Sequence, residues 1–308
     1  MKFSIIICTR NRDYALPGCL DSVATAITYA KADAEIVLVD NASTDATRET
    51  VERWGSANPT IPLQILLEPK KGLSNARNCG MHAAHGDIIA FTDDDCQLIP
   101  EYVARLLAYY AADTVPVMRG GSVHLGDPTD LPLTIKLVAT PHQRSRAMNS
   151  ARTYNLGDSL LGCNMALPRA DAMRIGDFDT RFGAGGPIPS GEDIDYVMRA
   201  YFAGLVIAYE PDLAVLHFHG RKSPEQGQKL LRDYGVGTGA LYAKYLFRYP
   251  IFVLPFYWDF LNIFRDMIKR RNNFIPEMNV THRDKMRKNF QGIWKYYTMC
   301  LCGTKASA

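Results

Sequence analysis

Three familiar signatures are missing from this chain. No two cysteines stand at CxxC spacing; the seven lie at positions 8, 19, 79, 96, 163, 300 and 302, and the close pair Cys300-x-Cys302 is in the tail. That spacing speaks against a zinc ribbon or finger. An odd number of cysteines, mostly inside apolar segments, is expected to remain reduced, which fits a cytoplasmic compartment. The second absence is a glycine-rich phosphate cradle. Cys8-Thr9-Arg10-Asn11-Arg12 follows the first apolar run without a G-x-G-x-x-G, and no G-x-x-x-x-G-K-[ST] occurs. A dinucleotide fold of the usual kind and a P-loop are therefore disfavoured, and any phosphate must be held by a metal and basic side chains. The third absence is a long apolar run. Met1 to Ile7 is too short for a signal peptide. The ten uncharged residues between Arg248 and Asp259 include two prolines and are too few for a spanning helix.

What the chain does have is three consecutive aspartates, Asp93-Asp94-Asp95, directly after Asp87-Ile88-Ile89-Ala90-Phe91-Thr92. Ile88 to Phe91 reads as a buried strand, and the acids come where it must end. Adjacent carboxylates repel, so three together call for solvent, a helix start or a cation. An Asp can cap a helix, and further acids suit its first turn. The helical pattern from Ile99 to Ala112 begins several residues later, however, after Pro100. Hard cations such as Mg²⁺ and Mn²⁺ take oxygen ligands. The triplet is read as a cation site serving a phosphate-bearing substrate.

The 308 residues, 47% hydrophobic and 22% charged, allow one large α/β domain with an appendage or two modest domains. Through residue 120 the pattern alternates. Strands are expected at Ser4–Cys8, Glu35–Val39, Leu63–Leu67, Ile88–Phe91 and Val115–Met118. Helices are expected at Tyr14–Ala30, from a Ser43-Thr44-Asp45 cap to Trp54, at Leu73–Ala84 and at Pro100–Ala112. This order predicts a parallel sheet covered on both faces. Thr9 and Arg10, Asp40 and Asn41, and the aspartate triplet then all fall at carboxyl ends of strands, where such sheets bind ligands.

Beyond residue 120 the pattern is less regular. Leu156 to Leu167, with Gly157, Gly162, Cys163 and Asn164, reads as a strand with close backbone approaches. Gly183 to Gly191 is a loop by composition, either a lid or a plain connection. Glu192, Asp193 and Asp195 then open an amphipathic helix, its apolar stripe being Ile194, Val197, Met198, Tyr201 and Phe202. Those acids either complement the helix dipole, with an Asp195–Arg199 pair, or do catalytic work. Ala214 to His219 reads as a strand with Val215, His217 and His219 on one face, which offers either histidine as a structural residue or a metal ligand.

Five segments in order resemble the family 2 glycosyltransferases of the GT-A fold. They are Ser4 to Arg12, Val39 to Asp45, Gly72-Leu73-Ser74-Asn75-Ala76-Arg77-Asn78-Cys79-Gly80, Phe91 to Asp95, and Gly191-Glu192-Asp193-Ile194-Asp195. They span roughly residues 3–220. The resemblance implies a Rossmann-like, mostly parallel α/β sheet with flanking helices, and an inverting transfer from a nucleoside-diphosphate sugar that needs Mn²⁺ or Mg²⁺. It implies that Thr9, with the neighbouring Arg10 and Asn11, and Asp40 contact the nucleoside. Arg77 would help hold the nucleotide, and Asp93 or Asp94 would approach the ribose or donor sugar. Asp95 would ligate the metal with His217, or His219 in its place. Asp193, beside Glu192, would be the general base. Cys8 departs from the family, which often has proline before the Thr.

From Arg221 onward 16 Lys and Arg face 6 Asp and Glu, leaving the first 220 residues at −7. Residues 1–220 are read as the catalytic domain, in a nucleotide-binding half 1–120 and an acceptor half 121–220, and 221–308 as a basic, aromatic-rich helical appendage. Pro224 to Tyr249 is expected to be helical but interrupted at Gly235-x-Gly237-x-Gly239. The aromatics from Tyr249 to Trp258, followed by Lys269-Arg270-Arg271, suit contact with an anionic membrane at its inner face rather than with nucleic acid. A helical subdomain packed on the core, or a dimer contact, is the alternative. UDP is the favoured donor nucleotide, and the acceptor is expected to be a saccharide or a lipid-linked group. A sugar nucleotidyltransferase would want glycine in the first loop, a glycosidase would need no nucleotide, and a catalytically silent module would have no use for the intact acids.

Overall fold

The computed structural model describes residues 1–146, 160–249, 253–269, 278 and 280–303. The chain divides into two units. The first comprises 1–150, 155–180 and 192–220, and the second the 151–154 and 181–191 segments with residues 221–308.

The first unit opens with a run of β/α repeats. Its elements are β1 (Phe3–Thr9), α1 (Leu16–Ala30), β2 (Ala34–Asp40), α2 (Thr47–Ala57), β3 (Leu63–Leu67), α3 (Leu73–Ala83) and β4 (Ile88–Asp93). There follow β5 (Cys96–Leu98), α4 (Tyr102–Ala112), β6 (Val117–Leu125), β7 (His142–Arg144), β8 (Met165–Pro168), α5 (Arg169–Ile175), α6 (Glu192–Phe202) and β9 (Val206–His217). One sheet runs β3-β2-β1-β4-β8-β6-β9-β5, with β7 paired to β9. The first four strands in that order are parallel, as the alternating pattern requires. Beyond β4 the sheet is mixed, because β8 and β5 run antiparallel to their neighbours while β6 and β9 run parallel.

The central strands read as continuous apolar runs because both faces are covered. On one face Ile5 and Ile7 meet Leu16, Leu20 and Val23 of α1 and Leu106 of α4. On the other, Phe91 meets Phe178 edge-on at 5.4 Å, and Phe178 stacks on Tyr196 of α6 at 4.0 Å. Each such side chain contributes roughly 1.5–3 kcal/mol on burial. The strand expected from Leu156 begins at Met165; residues 156–159 lie outside the described part. Of the expected cap Ser43-Thr44-Asp45, Asp45 Oδ1 accepts Thr47 N at the start of α2 at 3.1 Å, beside an N-cap position at Ala46, whereas the cap roles of Ser43 and Thr44 are not taken up. Both bond to Asn11 instead, tying the loop after β2 to the loop after β1.

The second unit contains α7 (Pro224–Tyr245), α8 (Val253–Lys269) and α9 (His282–Gly303). Against expectation, α7 runs unbroken through its glycines. A glycine weakens an isolated helix, but here each serves close packing. A Cβ at Gly239 would strike the Asn289 carbonyl, and one at Gly292 the carbonyl of Val236, so α7 and α9 can touch backbone to backbone. The 181–191 loop is fixed to α7, Ser190 Oγ donating to the Asp233 carbonyl at 2.9 Å. Among the described residues no helix is long and apolar enough to cross a membrane. Pro250 to Phe252, Arg270 and Arg271 lie outside the described residues.

Candidate active site

Strand register assembles the site. Thr9 stands opposite Asp40, and Cys8 opposite Asp93, so three strand ends deliver polar residues to one rim. Asp93 ends β4, and Asp94 and Asp95 turn directly into β5. The triplet therefore caps no helix. Antiparallel pairing of β5 with β9 puts Cys96 opposite His217, and Phe218 N donates to the Asp95 carbonyl at 2.8 Å. His217 Nε2 thereby comes to 3.3 Å from Asp95 Oδ1. His219 lies past the end of the strand, with Nε2 3.0 Å from the Leu131 carbonyl and Nδ1 3.6 Å from the buried Asp130. The geometry thus sets His217, and not His219, beside Asp95. Burial works against the His217 cation, but its hydrogen bond to Asp95 and the surrounding negative charge carry its pKa up to about 9. A carboxylate oxygen and an imidazole nitrogen at this separation form a donor pair that suits a divalent cation.

The triplet's remaining charge is balanced from two sides. Arg12 reaches Asp94 at 3.8 Å and Asp95 at 3.4 Å. Arg12 lies within the first motif with no role that the resemblance assigns; its sequence signal is a second cation two residues past Arg10. Asp94 is pushed up to about 7 by burial and then by repulsion from Asp95, with Arg12 opposing. Asp93 is also raised, first by burial. It accepts a hydrogen bond from Arg77 Nη2 at 3.2 Å.

Arg77 is the hinge between the rim and α6. Its guanidinium is 3% exposed, and Nη1 donates to Glu192 Oε1 at 3.0 Å. Burial disfavours that charge, but Asp93, Glu192 and Asp193 sustain it. Glu192 is pushed up to about 7, by burial and then by the charge of Asp193. Asp193 itself receives Gly162 N on Oδ2 at 3.0 Å and Ile194 N on Oδ1 at 2.8 Å, so the plane of its carboxylate is fixed. Gly162 admits this approach because a Cβ there would stand 2.8 Å from Arg77 Nη2 and 3.0 Å from Asp193 Cβ. The expected Asp195–Arg199 pair is present at 3.0 Å, which makes Asp195 a structural acid.

On the opposite flank, Asp40 is buried and its Oδ1 accepts Ser43 N at 2.9 Å. Asn11, in a left-handed conformation at φ 54°, accepts Thr44 N on its side chain at 2.8 Å. It therefore shapes the rim. Arg10 stands half-buried on the same loop. Asn41 does more than its place in a motif announces. Its amide donates to the Glu68 and Lys70 carbonyls and accepts Gly72 N, which orients the entry to α3 and hence Arg77.

Known proteins share the sequence pattern and the fold. The profile of Glycosyl transferase family 2 matches residues 4–166. Glycosyltransferase AglE of Haloferax volcanii is 27% identical over 244 residues, covering 77% of this chain and 72% of that protein. Among solved structures, residues 1–349 of S. aureus TarS in complex with UDP-GlcNAc align at a TM-score of 0.57 and 18% identity, covering 99% of this chain and 92% of that one. The mannosyltransferase PcManGT of Pyrobaculum calidifontis, in complex with GDP-Man and Mn²⁺, aligns at a TM-score of 0.55 and 18% identity, covering 99% and 75%. Family match and fold together define a glycosyltransferase of the GT-A class. Within that class the chain belongs to glycosyl transferase family 2.

Proposed function

We propose that the protein transfers a glycosyl group from a nucleoside-diphosphate sugar to an acceptor hydroxyl with inversion, using Mn²⁺ or Mg²⁺. The observation that carries this reading is the convergence of Asp95 with His217, and of Arg77 with Glu192 beside Asp193, on one strand-end rim. Asp95 and His217 would hold the cation, which would offset charge collecting on the leaving diphosphate. Thr9 and Asp40 flank the nucleoside, and Arg77, Asp93 and Asp94 fix the donor. Asp193 takes the proton of the acceptor hydroxyl as its oxygen bonds to the anomeric carbon from the face opposite the departing diphosphate. Its two backbone hydrogen bonds hold it in place for that transfer. UDP is the preferred nucleotide of this reading, supported by the UDP-sugar complex of the TarS neighbour. The test is nucleotide release from a panel of UDP-, GDP- and dTDP-sugars with and without Mn²⁺. Release from one donor class, abolished by chelator, supports the reading; no release from any donor with any hydroxyl acceptor counts against it.

The helical unit bears on the acceptor. On α8 the faces are reversed: Asp259 is buried, held by Lys285 at 2.8 Å, whereas Tyr257, Trp258, Phe260 and Phe264 are about half exposed. Trp294 on α9 is 73% exposed. In a segment where 16 basic residues face 6 acids, the matching surface is an anionic bilayer. The reading therefore includes peripheral attachment at the inner face of a membrane and a lipid-linked or membrane-proximal saccharide acceptor. Sedimentation with phosphatidylglycerol vesicles, and its absence with phosphatidylcholine vesicles, checks this.

A further inference from the structure

Two buried cysteines beside His217 have no part in the mechanism above. Cys96 and Cys163 are 0% and 5% exposed, and their sulfurs lie within 4.8 Å of each other and of a ring nitrogen of His217. Two features of the fold force them together. The β5–β9 register sets Cys96 directly opposite His217. Cys163 sits in the tight turn before β8, next to Gly162, whose backbone N–H holds Asp193. Both cysteines are free, and burial keeps the Cys96 thiol well above the range in which it ionises unaided.

We propose that this cluster is a binding site for a thiophilic divalent cation, Zn²⁺ or Cd²⁺, and that such an ion inhibits the enzyme by taking His217 from the catalytic cation. The donor chemistry separates the two metals. Thiolates select Zn²⁺, whereas Mg²⁺ and Mn²⁺ prefer oxygen. Tetrahedral zinc, with Zn–S near 2.3 Å and Zn–N near 2.0–2.1 Å, needs the three ligand atoms roughly 3.5–3.8 Å from one another, which the 4.8 Å limit on their present separations brings within a small side-chain adjustment. The cluster supplies a two-sulfur, one-nitrogen set, which leaves a fourth position to solvent. On binding, each thiol and the His217 imidazolium give a proton to solvent as the metal–ligand bonds form, and no electrons are exchanged. Binding of the thiophilic ion stands on the cluster alone; the inhibitory half rests on the proposed role of Asp95 and His217.

The experiment titrates Cd²⁺ into the chelator-treated full chain and follows thiolate-to-metal charge-transfer absorption. One equivalent of Cd²⁺ should produce the band. Cys96→Ala and Cys163→Ala, each checked for folding by circular dichroism, should each weaken binding at least tenfold. Absence of the band in the unaltered protein, or an undiminished band in both folded variants, overturns the site. In the presence of a fixed amount of Zn²⁺, the Mn²⁺ needed for half-maximal nucleotide release should rise at least tenfold. A band with an unchanged Mn²⁺ requirement overturns the shared-ligand half. A band in a protein that turns over no nucleotide sugar upholds the thiophilic site and instead sinks the proposed function.

Discussion

The two units break the usual rule of protein interiors in opposite ways. The sheet unit buries charge: Arg77, Asp94, Asp95, Glu192 and His217 are all nearly inaccessible. The helical unit exposes aromatic surface, with Tyr257, Trp258 and Trp294 half or more in solvent while Asp259 lies inside. Buried charge survives only when partnered, and large exposed aromatics are retained only where something apolar receives them. Each departure therefore marks a task. On the proposed function, the charges at the sheet rim would meet a charged ligand and the apolar surface of the helices a lipid one.

If the rim is a single charge network, removing its central cation should do the greatest harm. Arg77→Met leaves Glu192 and Asp93 without their shared partner and should lower stability by about 3–5 kcal/mol in urea unfolding. A loss under about 1 kcal/mol would mean that the network does not hold α6 to the rim. Glu192→Gln should act more mildly, through pH. The acid's pKa rises from an ordinary 4.5 to about 7 in the folded protein. Its stabilising contribution is thus complete below pH 4.5 and is lost as pH rises to about 7. Across that window the unaltered protein should lose up to about 3 kcal/mol relative to Glu192→Gln. Parallel Tm–pH curves for the two proteins would contradict the shift. On the helical side, Trp258→Ser with Trp294→Ser should leave unfolding within about 0.5 kcal/mol per site. The same pair should weaken binding to anionic vesicles about tenfold or more. A large stability loss with unchanged vesicle binding would show instead that these rings pack against protein.

The same contrast governs how far the sequence could be read. The parallel half of the sheet was legible because each strand is a continuous apolar run and each polar residue follows one. The rim positions of Thr9, Asp40 and Asp93 came with it. What could not be read depends on contacts distant in sequence. The meeting of Asp95 with His217 follows from the β5–β9 register across some 120 residues, so spacing alone left His217 and His219 as equals. Arg12 looked like one loop cation among two until the fold turned it onto Asp94 and Asp95. Ser43 and Thr44 have the chemistry of a helix cap and are used as a tie between loops. Gly235 and Gly239 of α7 carry a helix-breaking propensity that contact with α9 overrides. In each case a local preference gave way to a tertiary contact.

On the proposed function the rim's acids divide their labour, Asp95 with His217 serving the cation and Asp193 the acceptor proton. The most direct test is the Mn²⁺-dependent affinity of the Asp193→Asn protein for UDP, measured by calorimetry beside its sugar-transfer rate. The account predicts an affinity within threefold of the unaltered protein and a transfer rate lower by about 10²–10⁴. Unimpaired transfer, or a loss of UDP affinity as large as the loss of rate, would contradict it.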